Sequence, residues 1–206
     1  MSERIGLLGS GGQADEAESY YSGDVAFRAV SEKYLSEIAA VDINNPSEEE
    51  VNTPVCAAVG APAVRRDIIE GWSGNSYKSI ISEKAYIDDS VELGEGSIVA
   101  PNSVITTRVK IGRHAIINVA ATIQHESLLG DFVTIGPGSH IAGNVIIEDG
   151  VFVGIGAVVS NDIRVSKGVV VGAGATLVHD ADVENGVYVG TPAKLIKVNE
   201  GWLSEV

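Results

Sequence analysis

The sequence predicts two parts in series. Residues 1–78 read as an α/β N-terminal domain on a small parallel, Rossmann-like sheet, and residues 79–206 as a parallel β-solenoid of triangular cross-section. Three observations predict this. From Ile81 to Lys194 an aliphatic residue returns at every sixth position through nineteen hexads, each opening with Ile, Leu or Val. Glycine recurs at the second position at 94, 112 and 130, then at 136, 154, 172 and 190, both series stepping by 18, so three hexads make one turn. Ahead of the repeats, short apolar runs alternate with glycine turns and helical stretches, the pattern of strands joined by helices.

Arg4–Leu8 reads as the first strand, running into Gly9-Ser10-Gly11-Gly12-Gln13 and then a helix over residues 14–22. A strand, glycine turn and helix in that order leave backbone N–H groups and a helix N-terminus free to hold phosphate. The spacing is not G-x-G-x-x-G, and tight packing of the turn is the alternative. Residues 26–30 form a second strand, placing Ser31, Glu32 and Lys33 at its carboxyl end, where open parallel sheets bind ligands. Residues 47–50 are a polar helical stretch. Residues 55–59 are a third, buried strand with Cys56 as a core residue, and Gly60-Ala61-Pro62 is a second loop at the same sheet edge. Residues 63–71 read as a helix with Arg65 and Arg66 on its surface, and residues 72–77 lead to the first hexad.

In the repeats the first residue points inward. So does the fifth, which is Ala, Ser or Val throughout except at Ile163. The glycines mark places where the backbone turns a corner or is closely approached, and about six coils result. These hexads resemble the [LIV]-[GAED]-x-x-[STAV]-x repeat of the left-handed parallel β-helix acyltransferases. Gly190-Thr191-Pro192-Ala193-Lys194 closes the prism and residues 195–198 add a last strand.

Composition narrows the function. The net charge of −14 argues against nucleic acid or an anionic membrane as partner, so an anionic ligand such as a nucleotide or CoA would be held by local glycines, amides and a few Lys or Arg. The single cysteine excludes an intrachain disulfide and suits a reducing compartment. Without a signal peptide or an 18-residue apolar stretch, the expected location is cytoplasmic.

Acyl transfer from a thioester to an amine or hydroxyl requires the nucleophile to lose a proton, and imidazole has the right pKa near neutrality. Of the four histidines, His114 is fourth in its hexad, His140 sixth, and His125 and His179 both third. Third and fourth positions point outward near a corner. His125 precedes Glu126 and His179 precedes Asp180, so spacing alone leaves two candidates for an oriented base. Chain position favours His125, which leaves three coils beyond it for a long CoA arm. Three converging histidine ligands for a metal are not offered by these positions.

The stretch 118–144, with His125-Glu126-Ser127, Leu129-Gly130-Asp131-Phe132 and Ala142-Gly143-Asn144, is similar to the bacterial nucleotide-sugar N-acetyltransferases that modify 4-amino sugars, and to the related sialic acid O-acetyltransferases. With the glycine turn included, the resemblance spans nearly the whole chain. It implies an acetyl-CoA-dependent N-acetyltransferase of bacterial surface-glycan synthesis acting on a UDP-linked amino sugar, without a metal, or alternatively an O-acetyltransferase of a glycan hydroxyl. It implies a homotrimer with active sites between subunits. His125 becomes the general base and Glu126 its modulator. Gly11, Gly12, Gln13, Ser31, Glu32 and Gly60 fall on the nucleotide-sugar side. Thr134, Gly143, Ile155, Ala173 and Lys194 fall on the acetyl-CoA side. Two departures stand out. Gln13 and Thr134 occupy positions where that family often carries histidine.

Overall fold

The computed structural model describes residues 4–35 and 40–205. The N-terminal part holds β1 (Arg4–Leu8), α1 (Gly12–Tyr20), β2 (Asp24–Val30), a 3₁₀ turn (Glu32–Tyr34), β3 (Val41–Asp42), α2 (Glu48–Asn52), β4 (Val55–Ala57) and α3 (Pro62–Gly71). The sheet order is β3-β2-β1-β4, with every pairing parallel. Polar α2 is set by a capping box, in which the Ser47 hydroxyl accepts from the Glu50 amide while the Glu50 carboxylate accepts from the Ser47 amide. Pro62 sits in the first turn of α3, where its missing N–H is no loss.

From Ile80 onward the chain coils as a parallel β-helix with three faces. The first carries Ile98–Val99, Ile116–Ile117, Thr134–Ile135, Phe152–Val153 and Val170–Val171, the second Thr122–Ile123 and its equivalents, and the third Leu128–Leu129 and its equivalents. Partners lie one coil apart, as in Ile117 with Ile135 and Ile123 with Ile141. The first residues of the hexads from Val99 to Leu177 fill one continuous core, each fully buried side chain contributing roughly 1.5–3 kcal/mol. Fifth-position serines close the corners. The Ser97 hydroxyl donates to the Gly112 carbonyl and accepts from the Ala115 amide, and Ser127 repeats the arrangement with Ala142 and Val145.

The two glycine roles anticipated at the second position separate. Second-position glycines serve close approach between coils, since a Cβ on Gly136 would lie 2.7 Å from the Val153 carbonyl oxygen. The corner itself is turned at the fourth position, which has positive φ in each coil from Gly96 to Gly174. Glu126 (φ 63) and Phe132 (φ 59) are among the residues accepting that strain.

The repeat is not in register to its end. Val171 pairs with Tyr188, and Tyr188 takes the inward place while Val189 is 36% exposed. The slip occurs after Leu177, where Ala181 bridges to Val165 and the last corner is cut short. Ile81, at the open first coil, is likewise 44% exposed. The final strand, Ala193–Val198, runs antiparallel to Gly186–Gly190.

The sheet packs on the first face. Ile5, Leu7, Ala14, Ala17 and Cys56 cluster with Ile80, Ile98 and Ile116. This packing overturns two surface assignments. Arg65 is completely buried, because the start of α3 is clamped against the coils and the guanidinium donates to the carbonyls of Val59, Gly60, His114, Phe132 and Val133. His114 is buried between the Tyr77 and Phe132 rings, 4.7 and 5.2 Å away, and burial pushes its imidazole down to about 4. It is therefore neutral at pH 7 and closed to substrate. Thr134 is 2% exposed and lies in the same seam.

Candidate active site

His125 stands at the corner between the second and third faces, after Thr122–Ile123 and before Leu128–Leu129. A backbone bond from the Asn144 amide to the His125 carbonyl (2.9 Å) and another from the Glu126 amide to Thr107 (3.1 Å) fix the corner from both sides. The left-handed conformation at Glu126 turns its carboxylate back toward the ring, where Nδ1 is 3.2 Å from Oε2. Arg108 reaches the other oxygen of Glu126 at 3.2 Å. The hydrogen bond from His125, and then Arg108, hold the Glu126 carboxyl below its ordinary range, so it is ionised at neutral pH.

That carboxylate selects the tautomer. With Nδ1–H donating to Glu126, the lone pair of the neutral ring is on Nε2. Nε2 has no hydrogen-bond partner among the described residues, and the side chain is 56% exposed. Gly143, one coil on, makes room: a Cβ there would lie 2.7 Å from Nε2. His179 lacks this setting, since it follows Leu177 in the shortened corner and Asp180 accepts from the Arg164 amide instead. His140 is bonded through Nδ1 to Thr122 at 2.9 Å.

A second feature lies at the carboxyl ends of the N-terminal strands, a cleft of about 730 Å³ lined by Gly11, Gly12, Gln13, Ser31 and Gly60. Its position follows from the sheet. The loops after β1, β2 and β4 all emerge at one edge, and the first amides of α1 have no partner within the helix. Glu32 is exposed and does not line the cleft, because the 3₁₀ turn carries it outward. Tyr34, Ile43, Val64, Ile68 and Ser204 complete the wall and were not singled out in the sequence. The apolar ones sit on strand-end loops and α3, where their hydrophobicity beside the cleft loops is the signal; Ser204 carries none. The cleft meets the prism where the Asn118 side-chain amide donates to the Gln13 side-chain oxygen Oε1 at 3.3 Å.

The five residues assigned to the acetyl-CoA side do not come together. Gly143 belongs with His125. Ile155 and Ala173 are exposed third-position residues on a different corner, between the first and second faces. Lys194 is exposed on the strand that extends the first face. Thr134 stands apart from the other four. It occupies an outward position on the face that the sheet covers, where its hydroxyl donates to the Gly60 carbonyl at 2.8 Å and accepts from Arg65 at 2.9 Å. Among the described residues no group of three or more His, Cys, Asp or Glu is placed to hold a metal ion, and no helix is long and apolar enough to cross a membrane.

Neither a family model nor a curated protein sequence matches the chain. Solved structures do. Perosamine N-acetyltransferase from Caulobacter crescentus, solved as a histidine-to-asparagine mutant with CoA and GDP-perosamine, is 27% identical with a TM-score of 0.85, over 94% of this chain and 96% of that one. The acetyltransferase domain of PglB from Neisseria gonorrhoeae, solved with acetyl coenzyme A, is 27% identical with a TM-score of 0.81, over 95% of this chain and 100% of that one. WeeI from Acinetobacter baumannii is 25% identical with a TM-score of 0.79, over 94% and 100%. From its parallel sheet through its six-residue coils, the chain is thus similar over nearly its whole length to solved nucleotide-sugar acetyltransferases of the hexapeptide-repeat family.

Proposed function

We propose that this enzyme transfers the acetyl group of acetyl-CoA to the 4-amino group of a sugar linked to a nucleoside diphosphate, UDP by sequence resemblance, in the cytoplasmic synthesis of a surface glycan. The observation that carries the reading is His125 itself, exposed, held through Nδ1 by an ionised carboxylate and open at Nε2. As the amine attacks the thioester carbonyl, its proton passes to Nε2, and collapse of the tetrahedral adduct expels CoA as thiolate, which takes a proton. The products are an N-acetyl sugar and free CoA. Residues 1–78, as a Rossmann-like domain, hold the nucleotide in the cleft, with the Gly12 and Gln13 amides facing its phosphates. Residues 79–206, as a left-handed β-helix, hold acetyl-CoA along the corner of Ile155 and Ala173, with Lys194 near its phosphates.

A thiol-release assay with acetyl-CoA against UDP-, dTDP- and GDP-linked amino sugars tests this. Turnover is expected with one of these, most strongly with the UDP sugar; acetylation only of a free glycan hydroxyl would establish the O-acetyltransferase alternative.

The two corners also support an assembly of several copies. Asn118, Ile155 and Ala173 share one corner while His125 occupies another, so donor, acceptor and base meet only if a second copy brings its His125 corner against the first copy's Ile155 corner. Such a heterologous contact forms a ring where its rotation closes, and three copies are what the sequence resemblance implies. A homotrimer is the expected species in analytical ultracentrifugation, and full activity in a monomer would overturn the arrangement.

A further inference from the structure

Residues 199–205 run back from the end of the β-helix to the N-terminal part. The Asn199 amide ties their start to the Asn185 carbonyl at 2.9 Å. Trp202 then lies flat on the corner between the third and first faces, over Gly150 and Gly168, where a Cβ on either glycine would run into the indole. Arg66 stacks over its ring at 4.5 Å, Lys167 approaches at 5.4 Å, and the Phe132 ring is 6.2 Å away. The next residue makes a backbone bond into α3, from the Ala63 amide to the Leu203 carbonyl at 3.1 Å. The N-cap of α3 is Ala61, whose side chain cannot cap, so the returning tail satisfies an amide that the helix leaves free. One residue further, Ser204 lines the same cleft as the glycine turn.

From these contacts we infer that residues 199–205 are a working part of the nucleotide cleft, with Trp202 as the positioning residue that locks them and Ser204 as the polar group they present to a bound nucleoside diphosphate. Leu203 takes up the Ala63 amide of α3, while the Gly12 and Gln13 amides of α1 stay available to the phosphates. The inference rests on the reading of this cleft as the nucleotide-sugar site.

The experiment compares binding of UDP, dTDP, GDP and CoA by calorimetry, alongside thermal melting, for the wild-type chain, Trp202→Ala, Trp202→Phe, Ser204→Ala and a chain ending at Gly201. Trp202→Ala and the shortened chain should weaken the nucleotide that the wild type binds by roughly tenfold, the factor that about 1.4 kcal/mol of lost cap and wall contact gives. CoA affinity should not change, and Trp202→Phe should recover most of the loss. Ser204→Ala should weaken the nucleotide by a few-fold with an unaltered melting temperature, which a purely structural role would not produce. Unchanged nucleotide affinity in Ser204→Ala and in a folded shortened chain would overturn the inference alone. A wild-type chain that binds CoA but none of the nucleotides would overturn the assignment of the cleft, and the inference with it.

Discussion

His125→Ala should lower kcat by on the order of 10² to 10⁴ and leave the KM for acetyl-CoA nearly unchanged, in a steady-state assay with the nucleotide-linked sugar that supports turnover. The amine must lose a proton as it attacks, and Nε2 is the one acceptor at this corner held in place by a carboxylate. The fold should survive, because the side chain is outward and the inward neighbours Ile123 and Ser127 keep their contacts. Glu126→Ala should cost less, about tenfold, since Nδ1 loses its acceptor while the ring remains. Ala120 holds the same left-handed conformation one hexad earlier, so alanine at 126 carries no new kind of strain. A loss from Glu126→Ala as large as that from His125→Ala would give the carboxylate a direct role at the substrate. His179→Ala is the control, since among the described residues it has no carboxylate partner and Asp180 is taken by the Arg164 amide. If it abolished turnover while His125→Ala did not, the site would be wrongly placed.

What the sequence disclosed and what it hid divide along a physical line. The His125–Glu126 pair is a contact between chain neighbours on a repeated corner, so it follows from residue order and coil geometry. The cleft was legible for a similar reason, because in a parallel sheet the loops holding Gly11, Ser31 and Gly60 must share one edge. The errors arise where a distant element decides. Hexad positions treat the three faces alike, but only one face and its adjoining corner are covered by the sheet and α3, and this buries His114, Thr134 and Arg65. Ser204 reaches the cleft on residues that return from the last strand, beyond Trp202 on Gly150 and Gly168. The slip at Tyr188 was hidden for another reason, since Val183 and Val189 continue the six-residue pattern after the backbone has left it.

The largest effect on stability is expected at Arg65. Its guanidinium is wholly buried with no carboxylate partner among the described residues, and it is satisfied by carbonyl oxygens and the Thr134 hydroxyl, at distances such as 2.8 Å from Nε to His114 and 2.7 Å from Nη2 to Phe132. Burial lowers its pKa to about 9, which leaves it charged at neutral pH. Two effects oppose each other. Removing a desolvated cation is favourable, and some buried charges are replaced by apolar residues at no loss. Here removal would strand carbonyls on three separate segments at about 1–3 kcal/mol each, and no side chain of methionine's shape can donate to them. Stranded acceptors should win. Arg65→Met is expected to destabilise the protein by about 3–5 kcal/mol, read as a lower denaturant midpoint with little change in slope. Arg65→Lys should recover less than half, because one ammonium cannot span Val59, His114 and Phe132 together. The same bonds fix Gly60 in the cleft wall, so nucleotide affinity should fall in both variants at temperatures where they remain folded. Wild-type stability in Arg65→Met would mean that the seam closes around an apolar side chain and that the guanidinium is not what joins the sheet to the coils.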